Sequence, residues 1–469
     1  MYFLGFLIIF LLNASQSIAL KVNYEEEWMG IYSGGDKIGY SHTIYKPKRE
    51  NLQIFEETKL NMDTLGTKQV VDITSTYLLN KYELQAFEFS MKVGPVQFSA
   101  EGKKEGKKLD IQISSVSGKS NITFPIENEP LVSPIIFKWL AEQKPRVGKS
   151  YQVTLFDPTL ILTGADAKSL LATLSIEGEE QIKTPYGSFK TYRVKMLFMG
   201  SESTYWITKE GEIIKEFSQP GLLALRESKE KVLGETLQSL DIVQKTAISS
   251  NVSLDNPRTL KFLRIKIDGI ESPKEPNLED NRNLFKDGII EVRRSDLSQI
   301  IPYEIPYTEE AYKSYIKPTS LIQSDDPKII EESVEILRGE KDSLRAAKEI
   351  NNWVYKKLEK APTVSLPNAL DVLQTRRGDC NEHAALFAAL SRAAGIPTKI
   401  VFGVVYVNGK FYYHAWNEVF LGSWIPVDPT FGQLPADASH IKIVEGDLNR
   451  GSEIIRLVGK IKIEILDAS

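Results

Sequence analysis

From residue 20 to about 245 the chain runs in short apolar-polar alternations rich in β-branched and aromatic residues, broken by Gly, Asp, Asn and Pro. A period of two with such breaks predicts half-buried antiparallel strands. Lys37–Tyr45, Gln69–Leu79, Lys108–Ser114 and Phe189–Met196 read as strands, and Leu131–Gln143 as a helix. Residues 246 to about 325 read as a connecting β module, with strands near Leu260–Ile267 and Ile289–Arg293 around the polar stretch Ser272–Asn283.

From residue 326 the apolar spacing turns helical. Asp326 as N-cap with Pro327 behind it opens a helix that ends at Gly339. Ser343–Lys357 places Leu344, Ala347, Ile350 and Val354 on one face. Asn381–Ala394 carries Ala384, Leu386, Phe387, Leu390 and Ala393 at near-helical spacing and stops at Gly395-Ile396-Pro397. Lys399–Val407 and Lys410–Phe420 are strands joined by Asn408-Gly409, a strong type I′ hairpin signal. Pairing Val407 with Lys410 sets Gly403 opposite His414, where the missing side chain is expected to leave room beside the imidazole. A three-residue loop at Phe420-Leu421-Gly422 would set Val419 opposite Ser423 and His414 opposite Asp428, within about 5 Å between Cβ atoms. The fold class is therefore α+β, with an N-terminal antiparallel β-rich domain at 20–245, the connecting module at 246–325 and a helix-then-sheet domain at 326–469.

The chain holds one cysteine, Cys380, where a loop enters the helix of 381–394. A thiol attacks a carbonyl as thiolate, and both a helix N-terminus and an imidazolium favour that charge. The imidazole also returns a proton to the departing amine, and a carboxylate fixes its tautomer. Cys380, His414 and Asp428 read as such a triad, with the Cys380 N–H as an oxyanion donor. Duller readings stand beside each assignment. A lone cysteine is most often a small buried hydrophobe, His383 suits packing or capping, and His42 and His440 are expected at the surface. Trp416 and Trp424 are expected to pack the sheet, Arg376 and Arg377 to form a solvated turn, and Asp379 to cap the helix.

Gly378-Asp379-Cys380-Asn381-Glu382-His383-Ala384 with Leu390-Ser391-Arg392-Ala393-Ala394-Gly395-Ile396-Pro397 resembles the transglutaminase-like core of the papain-like superfamily. His414-Ala415-Trp416-Asn417-Glu418-Val419 and Trp424-Ile425-Pro426-Val427-Asp428-Pro429-Thr430 resemble its second and third blocks, in order. The resemblance, of bacterial envelope type, covers roughly 325 to 450. It implies a catalytic domain with helices packed on an antiparallel sheet, in which Cys380 is nucleophile, His414 general acid and base, and Asp428 the orienting carboxylate. Its implied activity is on amide bonds of proteins or peptides through a thioester, by hydrolysis or acyl transfer. The alternative is a non-catalytic envelope binding or assembly module with an inactive triad. The family's further oxyanion donor falls on no definite residue, with Trp353 the candidate.

Composition narrows the rest. A length of 469 residues gives two to four domains, and a net charge of -4 on 58 basic and 62 acidic groups singles out no partner. One cysteine and four histidines match no common zinc spacing. Phosphate-loop and calcium-loop motifs are lacking as well, so no cofactor and no metal is expected. Gly102–Lys108 is basic but contains no aromatic and reads as a hairpin loop, so no nucleic-acid partner is expected. Phe3–Leu12 is apolar and gives way to small and polar residues up to Ala19, which predicts a signal peptide at 1–19 and an exported, periplasmic or extracellular protein. Membrane association is expected only if that segment is uncleaved, since its apolar run falls short of the roughly 20 residues a span needs.

Overall fold

The computed structural model describes residues 25–469, apart from 65–66, 95, 117, 164–169, 186, 220, 271–281, 362–367 and 456. The expected signal peptide and most of Ser272–Asn283 lie outside the described residues. Among them no helix is long and apolar enough to cross a membrane. They divide into two compact units, one ending at Ile242 and the other running from Val243 to Ser469.

The first unit is a 16-stranded sheet in which most strands pair antiparallel with their neighbours in sequence. Asn51–Thr64 and Thr67–Asn80 pair residue for residue from Asn51 opposite Asn80 to Thr64 opposite Thr67. Leu52, Ile54, Leu60 and Met62 are buried on one face of the first of these strands, as the period of two requires. Glu56 and Thr58 break that apolar series and are also buried. Burial, with Asp157 close by, pushes the Glu56 carboxyl well above the carboxylate range.

Three expectations change here. The helix expected at 131–143 starts as a two-residue strand, Leu131–Val132, which pairs parallel with Ser150–Phe156, and the α-helix proper is Ile136–Glu142. The basic stretch at 102–108 is mostly strand, closing at Glu105 opposite Lys108 around a turn at Gly106. Its Gly102 is fixed by packing, because a Cβ there would lie 2.0 Å from the Phe87 ring. His42, expected at the surface, is buried on the Trp28 ring at 3.7 Å between centroids.

In the second unit the longer helices are α1 (Pro327–Leu337), α2 (Ser343–Lys357), α3 (Ala369–Thr375) and α4 (Cys380–Ala393). Its central sheet holds β1 (Thr398–Val407), β2 (Lys410–Phe420), β3 (Trp424–Val427) and β4 (His440–Gly446). The order is β4, β1, β2, and the outer edge of β2 is shared by β3 and the short strand Ile248–Ser249. Strands from the connecting segment, Phe262–Asp268, Asn283–Lys286 and Ile289–Arg293, form a separate sheet with the C-terminal strand Lys462–Ala468.

α4 is the buried centre of this unit. Ala384 to Leu390 are wholly enclosed, and burying side chains the size of Leu386, Phe387 and Leu390 contributes about 1.5–3 kcal/mol each. The Asn417 side chain on β2 donates to the Ala384 carbonyl at 3.0 Å, and Ser333 on α1 donates to the Leu390 carbonyl at 3.0 Å. These contacts fix the helix against both sheet and helical layer. The Asn408-Gly409 turn has positive φ at both residues, 46° and 84°, the type I′ geometry its sequence predicts.

Candidate active site

Cys380 occupies the first position of α4. Asp379 caps the helix, as expected, by accepting the Asn381 N–H at 2.9 Å, and Glu382 reaches back to the Asp379 N–H at 2.9 Å. This capping box holds the first turn of α4 in shape. The Cys380 N–H, at the first turn, has no carbonyl within the helix to meet. Gly378 allows the box to close, since a Cβ there would collide with the Glu382 side chain at 2.1 Å.

His414 lies on β2 opposite Gly403, the predicted register. The reason for the glycine differs from the expected one. A Cβ on Gly403 would lie 2.0 Å from the Ile441 carbonyl oxygen and 2.8 Å from the Trp416 ring. The space therefore belongs to a neighbouring strand and to Trp416, not to the imidazole.

The second hairpin is displaced from its predicted register. Phe420 pairs with Trp424 and Val419 with Ile425, so the loop is Leu421 to Ser423 with Gly422 at φ 97°. Phe420 stays in the strand because its ring packs among those of Trp424, Tyr312 and Tyr307. Asp428 falls one residue beyond β3, where it forms an isolated bridge with Gln433. It is a diagonal rather than a direct neighbour of His414, still on the same face and within reach. His414 Nε2 meets Asp428 Oδ2 at 2.8 Å.

Through Nε2 the ring is tied to Asp428, which leaves Nδ1 for the thiol side. Cys380 acts on His414 as well, favouring its charged form. Burial disfavours its charged form, but Asp428 and Cys380 outweigh that and push His414 up to about 9. The Phe431 ring stacks on the imidazole at 5.1 Å. Cys380 itself is partly exposed.

Asp428 is fully buried and fully committed. Its Oδ1 accepts the N–H groups of Thr430 at 2.7 Å and Phe431 at 3.0 Å. Its Oδ2 accepts His414 and, also at 2.8 Å, His440 Nε2. Burial raises a carboxyl, but the two imidazoles hold this one well below the usual range.

His440 is thus no surface residue: it is completely buried at the start of β4. Its other nitrogen, Nδ1, lies 3.3 Å from Asp437 Oδ1. Sequence reasoning missed it because it stands outside all three blocks. The remaining candidates are accounted for locally. His383 is buried with Nδ1 at 2.7 Å from the Asp379 carbonyl, a capping and packing role as expected. Arg376 pairs with Glu332 at 2.7 Å and Arg377 with Glu359 at 3.2 Å. Trp353, the candidate oxyanion donor, carries the Arg376 guanidinium on its ring at 4.4 Å, in a cleft lined by Glu332, Glu349 and Lys356 rather than by the triad. Trp416 is fully buried and Trp424 lies under the Lys399 ammonium at 4.1 Å.

Donor atoms of His414, Asp428 and His440 lie within 4.8 Å of one another, a grouping of the kind metals use. Here those atoms are spent on each other, each imidazole donating to the shared carboxylate oxygen.

Residues 332–429 match the family model described as the Transglutaminase-like superfamily. An uncharacterized protein of Haemophilus influenzae is 32% identical over 174 residues, 31% of this chain and 45% of that protein, so the match spans under half of the relative's length. A presumed cysteine protease from Cytophaga hutchinsonii is 17% identical over 45% of this chain and 83% of its own, with a TM-score of 0.32. A β-barrel-like protein of a domain of unknown function from Brucella abortus is 12% identical over 45% of this chain and 98% of its own, with a TM-score of 0.33. Taken with the three sequence blocks, the family match establishes that residues 332–429 form a transglutaminase-like domain.

Proposed function

We propose that the chain is an exported cysteine enzyme that breaks amide bonds in proteins or peptides through a thioester, by hydrolysis or by acyl transfer. The observation that carries this reading is the placement of His414. Its ring is bonded through Nε2 to a buried carboxylate, and its charged form is favoured by the partly exposed thiol of Cys380 at a helix N-terminus.

The chemistry follows from that order. The proton of the Cys380–His414 pair is held on the imidazole ring, and the thiolate forms a C–S bond to the substrate carbonyl carbon. The oxyanion is met by the Cys380 N–H and the positive end of α4. His414 returns the proton to the departing nitrogen as the C–N bond breaks, which leaves a thioester and a free amine. Water or a second amine then attacks the thioester while His414 takes its proton. The product is a carboxylic acid or a new amide, and the thiol is regenerated. Asp428 keeps the ring in the tautomer that can accept at Nδ1. Hydrolysis is the favoured outcome, because an open site has abundant water. The apolar run Phe3–Leu12 supports export.

A peptide library incubated with a tagged primary amine tests both the activity and the acceptor. Cleaved peptides without label mean hydrolysis, and label incorporation means transfer. Cys380→Ala should abolish either while leaving the circular dichroism spectrum unchanged. Unchanged turnover in Cys380→Ala would remove the proposal, and no turnover of any kind in the unaltered chain would point to the inert module.

A further inference from the structure

We propose that His440 is a positioning residue of this site: protonated on both ring nitrogens, it clamps the Asp428 carboxylate from the side opposite His414 and limits how strongly that carboxylate charges His414. The inference rests on the triad reading only for its effect on His414.

Hydrogen-bond counting fixes the protonation. His440 Nε2 meets Asp428 Oδ2 at 2.8 Å and Nδ1 meets Asp437 Oδ1 at 3.3 Å. Both partners are carboxylate oxygens, which only accept when ionised, so each ring nitrogen must carry a proton. A neutral tautomer would set a lone pair against an anion in a wholly buried place. The surroundings agree. Burial opposes the charged ring, but Asp428 and Asp437 outweigh it and raise His440 above the ordinary histidine value.

Among the described residues, charged and titratable groups reach this ring and its partners from several elements. From the loop between β3 and β4 come Asp428 and Asp437, and from β2 comes His414, 6.0 Å between ring centroids. Arg258, from the connecting segment, pairs with Asp437 Oδ2 at 3.2 Å and covers Phe431 at 4.5 Å. Arg282 donates to the His440 carbonyl at 3.2 Å and to the Asp437 carbonyl. From α4, Cys380 acts on His414, and His383 senses Asp428. Trp416 and Phe431 close the remaining sides with apolar rings at 5.3 and 6.1 Å.

The consequence is electrostatic. A carboxylate oxygen that serves two cations stabilises each less than one that serves a single cation. Two like charges about 6 Å apart, at an effective dielectric near 20, repel by the equivalent of about two pH units before relaxation. Removing His440 should therefore make His414 more basic. A merely structural His440 would lower stability and leave the pH dependence of the thiol in place.

The experiment has two arms. In the full-length chain, nitrogen-15 shifts of the four imidazoles, assigned through His440→Asn, should report a His440 that keeps both ring protons above the pH at which a free imidazole loses one. A neutral tautomer at pH 7.5 overturns the proposal, and this arm needs no substrate. In the second arm, iodoacetamide alkylation of Cys380 is followed against pH. His440→Asn and His440→Gln should both move the alkaline limb assigned to His414 upward by about one to two pH units. An unmoved limb in folded variants overturns it. A chain with a doubly protonated His440 but no turnover would refute the enzyme and keep the clamp, so the two readings fail separately.

Discussion

Asp428→Asn exposes the logic of the site, because all four contacts on the carboxylate come from donors. Oδ1 takes the N–H groups of Thr430 and Phe431, and Oδ2 takes the rings of His414 and His440. An amide has one accepting oxygen and one donating nitrogen. With its oxygen toward the backbone, its NH2 group faces two imidazole nitrogens, and both can make peace with it only by giving up their Nε2 protons. His414 then carries its proton on Nδ1, toward Cys380, where it cannot accept the thiol proton. Turned over, the NH2 group faces two backbone N–H groups, which leaves buried donors unpaired. The first arrangement is the cheaper one. It exchanges two charge-assisted hydrogen bonds for neutral ones, a loss of about 2–3 kcal/mol in unfolding free energy. A wrong tautomer in a triad of this kind lowers turnover by about 10⁴-fold. Urea unfolding at pH 7 reads the first quantity and amide turnover the second, with iodoacetamide alkylation at pH 6 as a substrate-free companion that should slow about tenfold or more. Stability within about 0.5 kcal/mol of the unaltered chain, together with unchanged alkylation at pH 6, would refute the donor count and the charge coupling it supports.

Two further outcomes are expected. Gly403→Ala sets a Cβ against the Ile441 carbonyl oxygen and the Trp416 ring; neither can withdraw freely, so urea unfolding should show a loss of about 1–3 kcal/mol or more, and a loss under about 0.5 kcal/mol would contradict the close approach of β1 and β4. His414 is pushed up to about 9 in the folded chain, against about 6.5 unfolded, so its charged form favours the native state fully below pH 6.5 and loses that contribution as pH rises through 9. The loss is about 3 kcal/mol at most, and His414→Gln should flatten the fall in unfolding free energy between pH 6 and 9.5; an equal slope in the variant would sink this assignment.

What the sequence made legible is what short-range chemistry dictates. Asn408-Gly409 fixes a type I′ turn by the positive φ it permits, and that turn alone sets Gly403 opposite His414. The apolar spacing of 381–394, with Asp379 ahead of it as a cap, marks the start of α4, so Cys380 reads as lying at a helix N-terminus. The displaced second hairpin shows where this ends. Glycine fits either of two loop positions there, and the choice fell to packing of Phe420 against aromatic rings from residues more than a hundred positions earlier. His42 and His440 were misplaced for a related reason. A histidine outside every block reads as solvent-facing unless its buried partner is known, and Trp28, Asp428 and Asp437 become partners only through register and loop closure.

The same closure explains why the site depends on chain beyond the segment that defines the family. The match ends at residue 429, one past Asp428. Yet Asp428 is flanked by His440, which is held by Asp437, which is paired with Arg258. Arg282 fixes the backbone on which His440 and Asp437 sit. Two arginines from the connecting segment and a strand after the matched blocks thus enclose the carboxylate and decide how its charge is shared. A buried anion with a single imidazole beside it would keep most of its unfavourable desolvation; here a chain of alternating charges, anion to cation to anion to cation, runs from the triad to the partly exposed guanidinium of Arg258 and spreads that cost. Cutting the matched segment out of this chain removes three of those links and leaves Asp428 with His414 alone.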